Sequence, residues 1–332
     1  MSALLEINNL SIGFDTAQGM LLAVDRLSYR VEAGETLGIV GESGSGKSVH
    51  ALAIAGLLDH PAARILGGSI RFEGRDLRGL SRREWTQIRG RHIGFVFQDP
   101  MTALNPLLTI GQQLKAPLKY HLGLSEREAR QRCRELLDQV GISEADKRLR
   151  QFPHQLSGGL RQRVLIAMGI SLGPKLLIAD EATTALDVTV QAQIVDLVMA
   201  LKAQLGLSLI WISHDLGVVA RLADTVQVMY AGRILERGPV DALFYDPRNA
   251  YTLGLLRSLP RPERQRLQAI PGQPPDLRTA RPGDPFAARN RYATPRCFIE
   301  QPPLRQVVEG AAGHLSASWY DLRSIIAREG GI

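Results

Sequence analysis

One glycine-rich segment of the chain has the residue types and spacing that bind phosphate. It fits Gly-x4-Gly-Lys-Ser/Thr at every position and reads Gly41-Glu42-Ser43-Gly44-Ser45-Gly46-Lys47-Ser48. Apolar runs predict a buried strand over 36–40 before it and a helix over 49–58 after it. Such a turn points backbone N–H groups and the positive end of a helix dipole at an anion. Lys47 would reach the β- and γ-phosphates, and Ser48 would ligate Mg²⁺. The pattern arises by chance in only roughly 1% of chains of this length. Because a predicted strand precedes it and a predicted helix follows it here, we predict that the segment binds a nucleotide.

A pair of carboxylates follows a second apolar run. Asp180 and Glu181 come directly after 176–179, which we predict to be a buried parallel strand. In nucleotidases with a phosphate-binding loop, an Asp at such a strand end orders Mg²⁺ and its waters. Glu181 would then lie where a general base polarises the attacking water. An isolated Asp-Glu pair is more often a helix N-terminus or plain surface, but the buried strand favours the catalytic interpretation.

A third motif, Ser157-Gly158-Gly159, opens a predicted helix and forms a second anion-binding turn. One γ-phosphate has no use for two such turns, unless the second serves a nucleotide that another subunit holds. Here the sequence resembles the ATP-binding cassette (ABC) family, whose signature is Leu-Ser-Gly-Gly-Gln. The resemblance spans residues 1 to about 240, and the motifs follow the family's order.

The resemblance implies roles for four further residues. Gln98 is similar to the glutamine that touches Mg²⁺ and water, and Asp187 lies in what looks like the loop that communicates across the dimer. His214 is similar to the histidine that contacts the γ-phosphate and holds the water. Phe14 is similar to the aromatic residue that stacks on adenine, although a strand Phe is more often part of the core.

Within the family, the chain resembles the subgroup of peptide and nickel importers. Leu160 replaces the signature Gln, as is typical of that subgroup, and the segments 98–106, 152–155 and 270–304 also fit it. Some members ligate an iron–sulfur cluster through a cysteine-rich tail. This chain has Asp284 and Asn290 at two of those positions and keeps only Cys297. A cluster needs four ligands, so we expect no iron–sulfur cluster.

The elements that position these motifs predict an α/β fold. The resemblance implies a RecA-like core, typical of P-loop NTPases, with an antiparallel β-subdomain and an inserted helical subdomain at about 99–171. This nucleotide-binding domain would cover 1–240. Alternating and continuous apolar runs predict strands at 5–8, 27–31 and 207–212, and helices at 125–140 and 190–204. The Pro- and Arg-rich remainder, 241–332, is predicted to be an irregular extension.

Composition narrows the class of protein. The 332 residues are 45% hydrophobic and 22% charged, which predicts a packed globular chain. No apolar run approaches the length of a membrane span, and we see no secretion signal. The net charge is +7. A solvated basic face and an anionic membrane surface both explain this charge, whereas a nucleic-acid groove would need interleaved aromatic residues.

These observations predict an ATP-hydrolysing subunit that powers import of peptides or similar small solutes, with ATP and Mg²⁺ as ligands. Nickel or other metal chelates are the alternative solutes. A soluble ABC ATPase that remodels nucleic acid or ribosomes, or a subunit that does not hydrolyse ATP, is less consistent with the motifs. The expected partners are a second ABC ATPase, preferably different from this chain, two membrane permeases and an extracytoplasmic solute-binding protein, with no nucleic acid. The expected location is the cytoplasmic face of the inner membrane, as a peripheral subunit.

Overall fold

The computed structural model describes residues 3–58, 61–184, 186–259, 269–278, 282–307 and 309–328. Ala185, which precedes Asp187 in the predicted dimer loop, and part of the Pro- and Arg-rich extension lie outside the described residues. The chain forms two compact units. The first unit contains Val31–Thr36 and Leu77–Ser213, and the second contains Leu4–Arg30, Leu37–Asp76 and the chain from His214 onward.

The described part of the chain contains both strands and helices, mixed along the sequence. The strands are β1 (Leu5–Thr16), β2 (Gly19–Val31), β3 (Thr36–Val40), β4 (Ala63–Phe72), β5 (Arg75–Asp76), β6 (Ile93–Val96), β7 (Leu176–Asp180), β8 (Ser208–Ile212), β9 (Thr225–Tyr230), β10 (Arg233–Pro239), β11 (Arg305–Gln306) and β12 (Leu315–Ser316). The α-helices are α1 (Lys47–Ile54), α2 (Arg82–Ile88), α3 (Pro100–Ala103), α4 (Ile110–Leu122), α5 (Glu126–Gln139), α6 (Ala145–Arg148), α7 (Gly158–Ile170), α8 (Val188–Leu205), α9 (Leu216–Leu222), α10 (Val240–Tyr245), α11 (Ala250–Arg257), α12 (Pro295–Ile299) and α13 (Leu322–Arg328). No helix of the described part is long and apolar enough to cross a membrane.

The first unit is built on three parallel strands. Strand β7 pairs with β6 on one side and with β8 on the other, with Leu176 opposite Ile93 and Ser208. Every residue of β7 and β8 is buried, as a parallel sheet covered on both faces requires. Helix α8 makes the crossover between them, so the predicted strand–helix–strand arrangement is confirmed.

Helices α3 to α7 lie between β6 and β7, and local capping explains where two of them begin. Thr109 and Ser125 each accept a hydrogen bond from the third backbone N–H of the helix, and a Gln or Glu side chain returns the contact. This capping box satisfies N–H groups that a helix start would otherwise leave unpaired. The predicted helix at 125–140 is confirmed as α5, with Ser125 and Val140 as its caps.

The second unit contains an antiparallel sheet of order β2-β1-β4-β5 and the strand β3, which precedes the glycine-rich loop. Strand β3 coincides with the predicted strand at 36–40, is wholly buried and pairs in parallel with β9. Strand β10 continues this sheet antiparallel to β9. The loop therefore follows a strand that is buried along its whole length.

The extension is more regular than its composition predicted. It forms α10 to α13, and its strand β12 pairs with β10. One buried carboxylate helps to hold it: Glu236 on β10 accepts the backbone N–H groups of Arg248 at 2.6 Å and Asn249 at 3.1 Å. The Nε2 atom of His314 lies 2.8 Å from the same carboxylate. These contacts join residues 12 to 78 positions apart, which local composition does not encode.

Candidate functional site

The conformation of the glycine-rich loop requires its glycines. A Cβ atom on Gly41 would lie 2.1 Å from the carbonyl oxygen of Met229, and one on Gly46 would lie 2.5 Å from that of Ala23. The φ angles of Gly41, Gly44 and Gly46 are 152°, 77° and 92°, a region that side chains disfavour. The loop can therefore pack closely on the backbone at Met229 and Ala23 only with glycine at positions 41 and 46.

Helix α1 begins directly after the loop, and its N-terminus has no side-chain cap among the described residues. Gly46 is the residue before the helix, and within the described part of the chain no side chain caps its first turn. By contrast, Ser125 caps α5 and Asp187 caps α8. A helix start that lacks such an acceptor is suited to an anion, because its N–H groups and its dipole both favour negative charge.

Lys47 lies inside the loop. It is buried, and its Nζ donates to the carbonyl oxygens of Gly41 at 2.8 Å and Glu42 at 2.9 Å. The hydroxyl of Ser45 lies 3.4 Å away from this ammonium group, and Ser48 is the second residue of α1. The loop thus combines a cation, hydroxyl groups and a helix start, and this donor set fits a nucleotide polyphosphate with Mg²⁺.

Two residues that sequence reasoning missed contact this loop. The backbone N–H of Glu42 donates to the Tyr251 hydroxyl at 2.8 Å. The guanidinium of Arg289 donates to both carboxylate oxygens of Glu42, at 2.6 and 2.9 Å. No local pattern could have pointed to them, because they follow Glu42 by 209 and 247 residues.

In the first unit, Glu181 has a strained backbone at the end of β7. Its φ angle is 47°, in the left-handed region that residues with a side chain seldom adopt. Its N–H donates to the carbonyl oxygen of Ile212 at 2.9 Å, which ties this turn to the end of β8. Strain of this kind persists where the surrounding structure enforces it, and it is commonest at functional sites.

The Glu181 carboxylate is held by two side chains. Gln98 Nε2 donates to its Oε2 at 3.0 Å, and the Thr184 hydroxyl donates to the same oxygen at 3.2 Å. The structure therefore brings together Gln98 and Glu181, which are 83 residues apart and were predicted to share a site. Asp180, which precedes Glu181 in the chain, is buried at the end of β7. Thr184 was not predicted, although its place three residues after Glu181 is a local signal.

The Ser157 turn opens helix α7, as predicted. The Ser157 hydroxyl accepts the Leu160 N–H at 3.4 Å and so caps this helix. A Cβ atom on Gly159 would lie 2.8 Å from a methyl group of Val190 on α8. Gly158 is exposed, so the surface of this turn is accessible while its inner side is packed.

The remaining predicted residues lie at element ends or on a strand. Asp187 accepts the Val190 N–H at 2.9 Å and caps α8. His214 is exposed and stands between β8 and α9. Phe14 is half-buried on β1, opposite Ala63 of β4.

Comparisons with known proteins agree with this geometry. Residues 24–184 match the family described as ABC transporter, and residues 235–297 match the one described as oligopeptide/dipeptide transporter, C-terminal region. The chain is 50% identical over 322 residues to the oligopeptide transport ATP-binding protein OppD of Bacillus subtilis (strain 168), which covers 96% of this chain and 89% of that protein. The chain belongs to the ABC transporter family. As an ABC ATPase, it binds and hydrolyses ATP.

Two further ABC proteins are similar along most of their own length. The dipeptide transport ATP-binding protein DppD of Escherichia coli (strain K12) is 47% identical over 310 residues, covering 93% of this chain and 94% of that protein. A solved dimeric ATP-binding cassette in a post-hydrolysis state, bound to ADP and Pi, is 29% identical with a TM-score of 0.64. That match covers 71% of this chain and 98% of the cassette, which confirms the predicted P-loop NTPase fold.

Two polar side chains of the extension, Asn290 and Asp284, form hydrogen bonds within it. Asn290 donates to the Tyr320 hydroxyl at 2.7 Å and accepts the Tyr292 N–H at 3.0 Å. Asp284 accepts the Phe286 N–H at 2.9 Å, and burial raises the pKa of its carboxyl to about 6. Within the described ranges, no group of three or more His, Cys, Asp or Glu residues could hold a metal ion.

Proposed function

We propose that this chain is the ATP-hydrolysing subunit of an importer that carries peptides across a membrane. The observation that carries this proposal is the match of residues 235–297 to the C-terminal region of oligopeptide and dipeptide transporters. The names of the relatives, which are oligopeptide and dipeptide transport proteins, support the same solute class. In this proposal residues 1–240 are the nucleotide-binding domain, with a helical subdomain at about 99–171, and 241–332 are the extension.

The glycine-rich loop would bind the phosphates of ATP. Lys47 and the N–H groups of the loop would neutralise and orient them. Mg²⁺ held by Ser48, Gln98 and Asp180 would supply further positive charge to the transferred phosphoryl group. Phe14 would stack on adenine.

Glu181 would act as the general base. Its carboxylate is already oriented by Gln98 and Thr184, and orientation of this kind places a base for proton transfer. His214 would contact the γ-phosphate and hold the attacking water in position.

A second subunit would complete each ATP site. The turn formed by Ser157, Gly158 and Gly159 would supply N–H donors to the nucleotide held by the partner. Asp187 would transmit the state of one site to the other. ATP would then favour a closed dimer, and hydrolysis would release it.

The permeases would dock beside Gln98 and on the helices between 99 and 155. Large apolar side chains are exposed there: Met101 is 53% exposed and Leu107 is 82% exposed. Such a cluster is consistent with a protein partner. The complete assembly would hold two ATPases and two permeases, receive solute from an extracytoplasmic binding protein, and place this chain at the cytoplasmic face of the inner membrane.

The test is solute uptake by the purified assembly. The transporter is purified from its native membrane through a tag on this chain and reconstituted in vesicles. We expect ATP-dependent uptake of labelled di- to pentapeptides, and no uptake when this chain carries Lys47→Ala. Uptake of a nickel chelate instead of peptides would assign the alternative solute. ATP hydrolysis that no solute stimulates would contradict a transport function.

A further inference from the structure

The C-terminal extension contacts the phosphate-binding loop at Glu42. The Glu42 N–H donates to Tyr251 on α11 and its carboxylate accepts both terminal nitrogens of Arg289. Its carbonyl oxygen accepts Lys47 Nζ at 2.9 Å and the Ser45 N–H at 3.2 Å. The backbone and the side chain of Glu42 therefore link the loop's own lysine to the extension.

Arg289 is held in the orientation that this contact needs. Its side chain is only 7% exposed, and its Nε donates to the carbonyl oxygen of Pro271 at 2.8 Å. The guanidinium lies 5.7 Å from the ring centre of Tyr230 and 5.9 Å from that of Phe286. A guanidinium fixed by stacking and by a backbone acceptor loses little freedom when it binds a carboxylate through two parallel hydrogen bonds.

The charge of Glu42 has an unfavourable sign for its place in the molecule. It is the second residue of a loop that receives a polyphosphate, and like charges repel more strongly where water is partly excluded. The carboxylate is only 27% exposed, so solvent screens it incompletely. Arg289 is a cation that faces this carboxylate, although it follows Glu42 by 247 residues in the chain.

We propose that the extension sets the ATP affinity of the loop, with Arg289 neutralising Glu42 and Tyr251 fixing the Glu42 backbone. This inference rests on the proposed role of the loop in binding ATP. Arg289 and Tyr251 are positioning residues in this proposal, since they act on Glu42 and not on the nucleotide. The coupling is reciprocal by thermodynamic linkage: a partner that displaces Arg289 weakens ATP binding, and bound ATP holds the extension more tightly.

A double-mutant cycle on the full chain separates this role from simple stabilisation. ATP affinity is measured by calorimetry for Arg289→Met, Glu42→Gln and the double variant. We expect Arg289→Met to weaken ATP binding roughly 10-fold, within the usual range of coupling between sites. In the double variant, Glu42→Gln should restore most of the loss, because the carboxylate that Arg289 neutralised is gone. A double variant as weak as Arg289→Met would overturn the charge argument.

Tyr251→Phe provides an independent arm, because it acts on the backbone rather than on the charge. Its loss of ATP affinity should persist when Glu42→Gln is added. If Arg289→Met does not fold, Arg289→Gln also removes the charge and should weaken ATP binding to a similar extent, whereas Arg289→Lys keeps the charge and should lose less. Equal ATP affinity in Arg289→Gln, Tyr251→Phe and the parent chain would overturn the proposal.

Arg296→Met is the matched control. Arg296 lies in the same extension, pairs with Glu300 at 2.7 Å and stacks on Trp319. Neither of these two partners belongs to the phosphate-binding loop. The Arg296→Met variant should leave ATP affinity unchanged. Lys47→Ala distinguishes failure of the proposed ATP site from failure of its coupling to the extension. If it has no effect on ATP binding, the proposed site is wrong; if it abolishes binding while Arg289→Met has no effect, only the coupling to the extension fails.

Discussion

At the scale of the residue, Glu181 combines a strained backbone with a carboxylate held on one oxygen by two donors. The φ angle of 47° sets the direction of the side chain, and Gln98 and Thr184 restrict its rotation. A general base must lie within hydrogen-bonding reach of the proton that it accepts, and a fixed carboxylate meets this condition before the substrate arrives. The geometry therefore supports the proposed role of Glu181.

We predict that Glu181→Gln lowers ATP turnover of the assembled transporter by ~10²–10⁴-fold, the usual contribution of a general base. The amide keeps the size of the side chain but cannot accept the proton. ATP binding should be retained, because the phosphate contacts are made by the loop. Steady-state ATPase assays and equilibrium binding on the same preparation decide this, and near-normal turnover would contradict the assignment. Thr184→Val is the companion variant, and it should reduce turnover far less because Gln98 still holds the carboxylate.

At the scale of the element, the extension contains a buried carboxylate whose pKa is shifted. Asp284 is only 9% exposed, and loss of solvation raises its pKa from the ordinary 3.8 to about 6, against the lowering effects of the Phe286 N–H and Arg233. Below about pH 4 the carboxyl is protonated in the folded and unfolded states. Between pH 4 and 6 it ionises first in the unfolded chain, so the stability of the folded state falls as the pH rises.

We predict that Asp284→Asn removes this pH dependence. Relative to the parent chain, the free energy of unfolding of the variant should rise by on the order of 2–3 kcal/mol between pH 4 and pH 7. Urea unfolding at several pH values measures it. Asp276→Asn is the control, because that carboxylate is 45% exposed in its pair with Arg278, and surface pairs contribute about 0–1 kcal/mol. A constant difference between Asp284→Asn and the parent chain across this range would contradict the prediction.

The extension also leads to a prediction about metal content. Protein purified without oxygen should contain no iron or acid-labile sulfide above background, because residues 241–332 contain a single cysteine, Cys297, and a cluster needs four ligands. Iron analysis by mass spectrometry and a sulfide assay measure this directly. Stoichiometric iron with sulfide would show that other residues supply the ligands.

At the scale of the whole molecule, the chain carries one phosphate-binding loop and one Ser157 turn. An ATP site that needs both from different subunits cannot close on a single chain. We therefore predict that the isolated chain binds ATP but hydrolyses it poorly, and that its working partner is a second, related ATPase. Addition of that partner should raise turnover per site.

Co-purification from the native membrane tests the composition of this assembly. We expect equal amounts of this chain and a second ABC ATPase, with two permeases, by quantitative mass spectrometry. Two copies of this chain without another ATPase would establish a homodimer instead. Ser157→Arg is a useful addition: in a heterodimer it should impair the site whose loop belongs to the partner and spare nucleotide binding at Lys47.

The sequence by itself determined the features that depend on neighbouring residues. Strand β3, the loop that follows it, helix α5 and the strands β7 and β8 all arise from apolar runs, glycine spacing or capping within a few positions. The Asp180-Glu181 pair is of the same kind, since a strand end places both residues. Local patterns are readable because backbone hydrogen bonding and burial act over one or two turns of the chain.

The tertiary structure decided the contacts that join distant segments. The hydrogen bond between Gln98 and Glu181 spans 83 residues, and the ion pair between Glu42 and Arg289 spans 247. The Pro- and Arg-rich composition of the extension predicted loops, yet the extension forms helices and a strand that joins the sheet. The buried Glu236 carboxylate helps to hold it by accepting two of its backbone N–H groups. A buried carboxylate takes whichever donors the fold brings to it, so its partners follow from packing rather than from spacing along the chain.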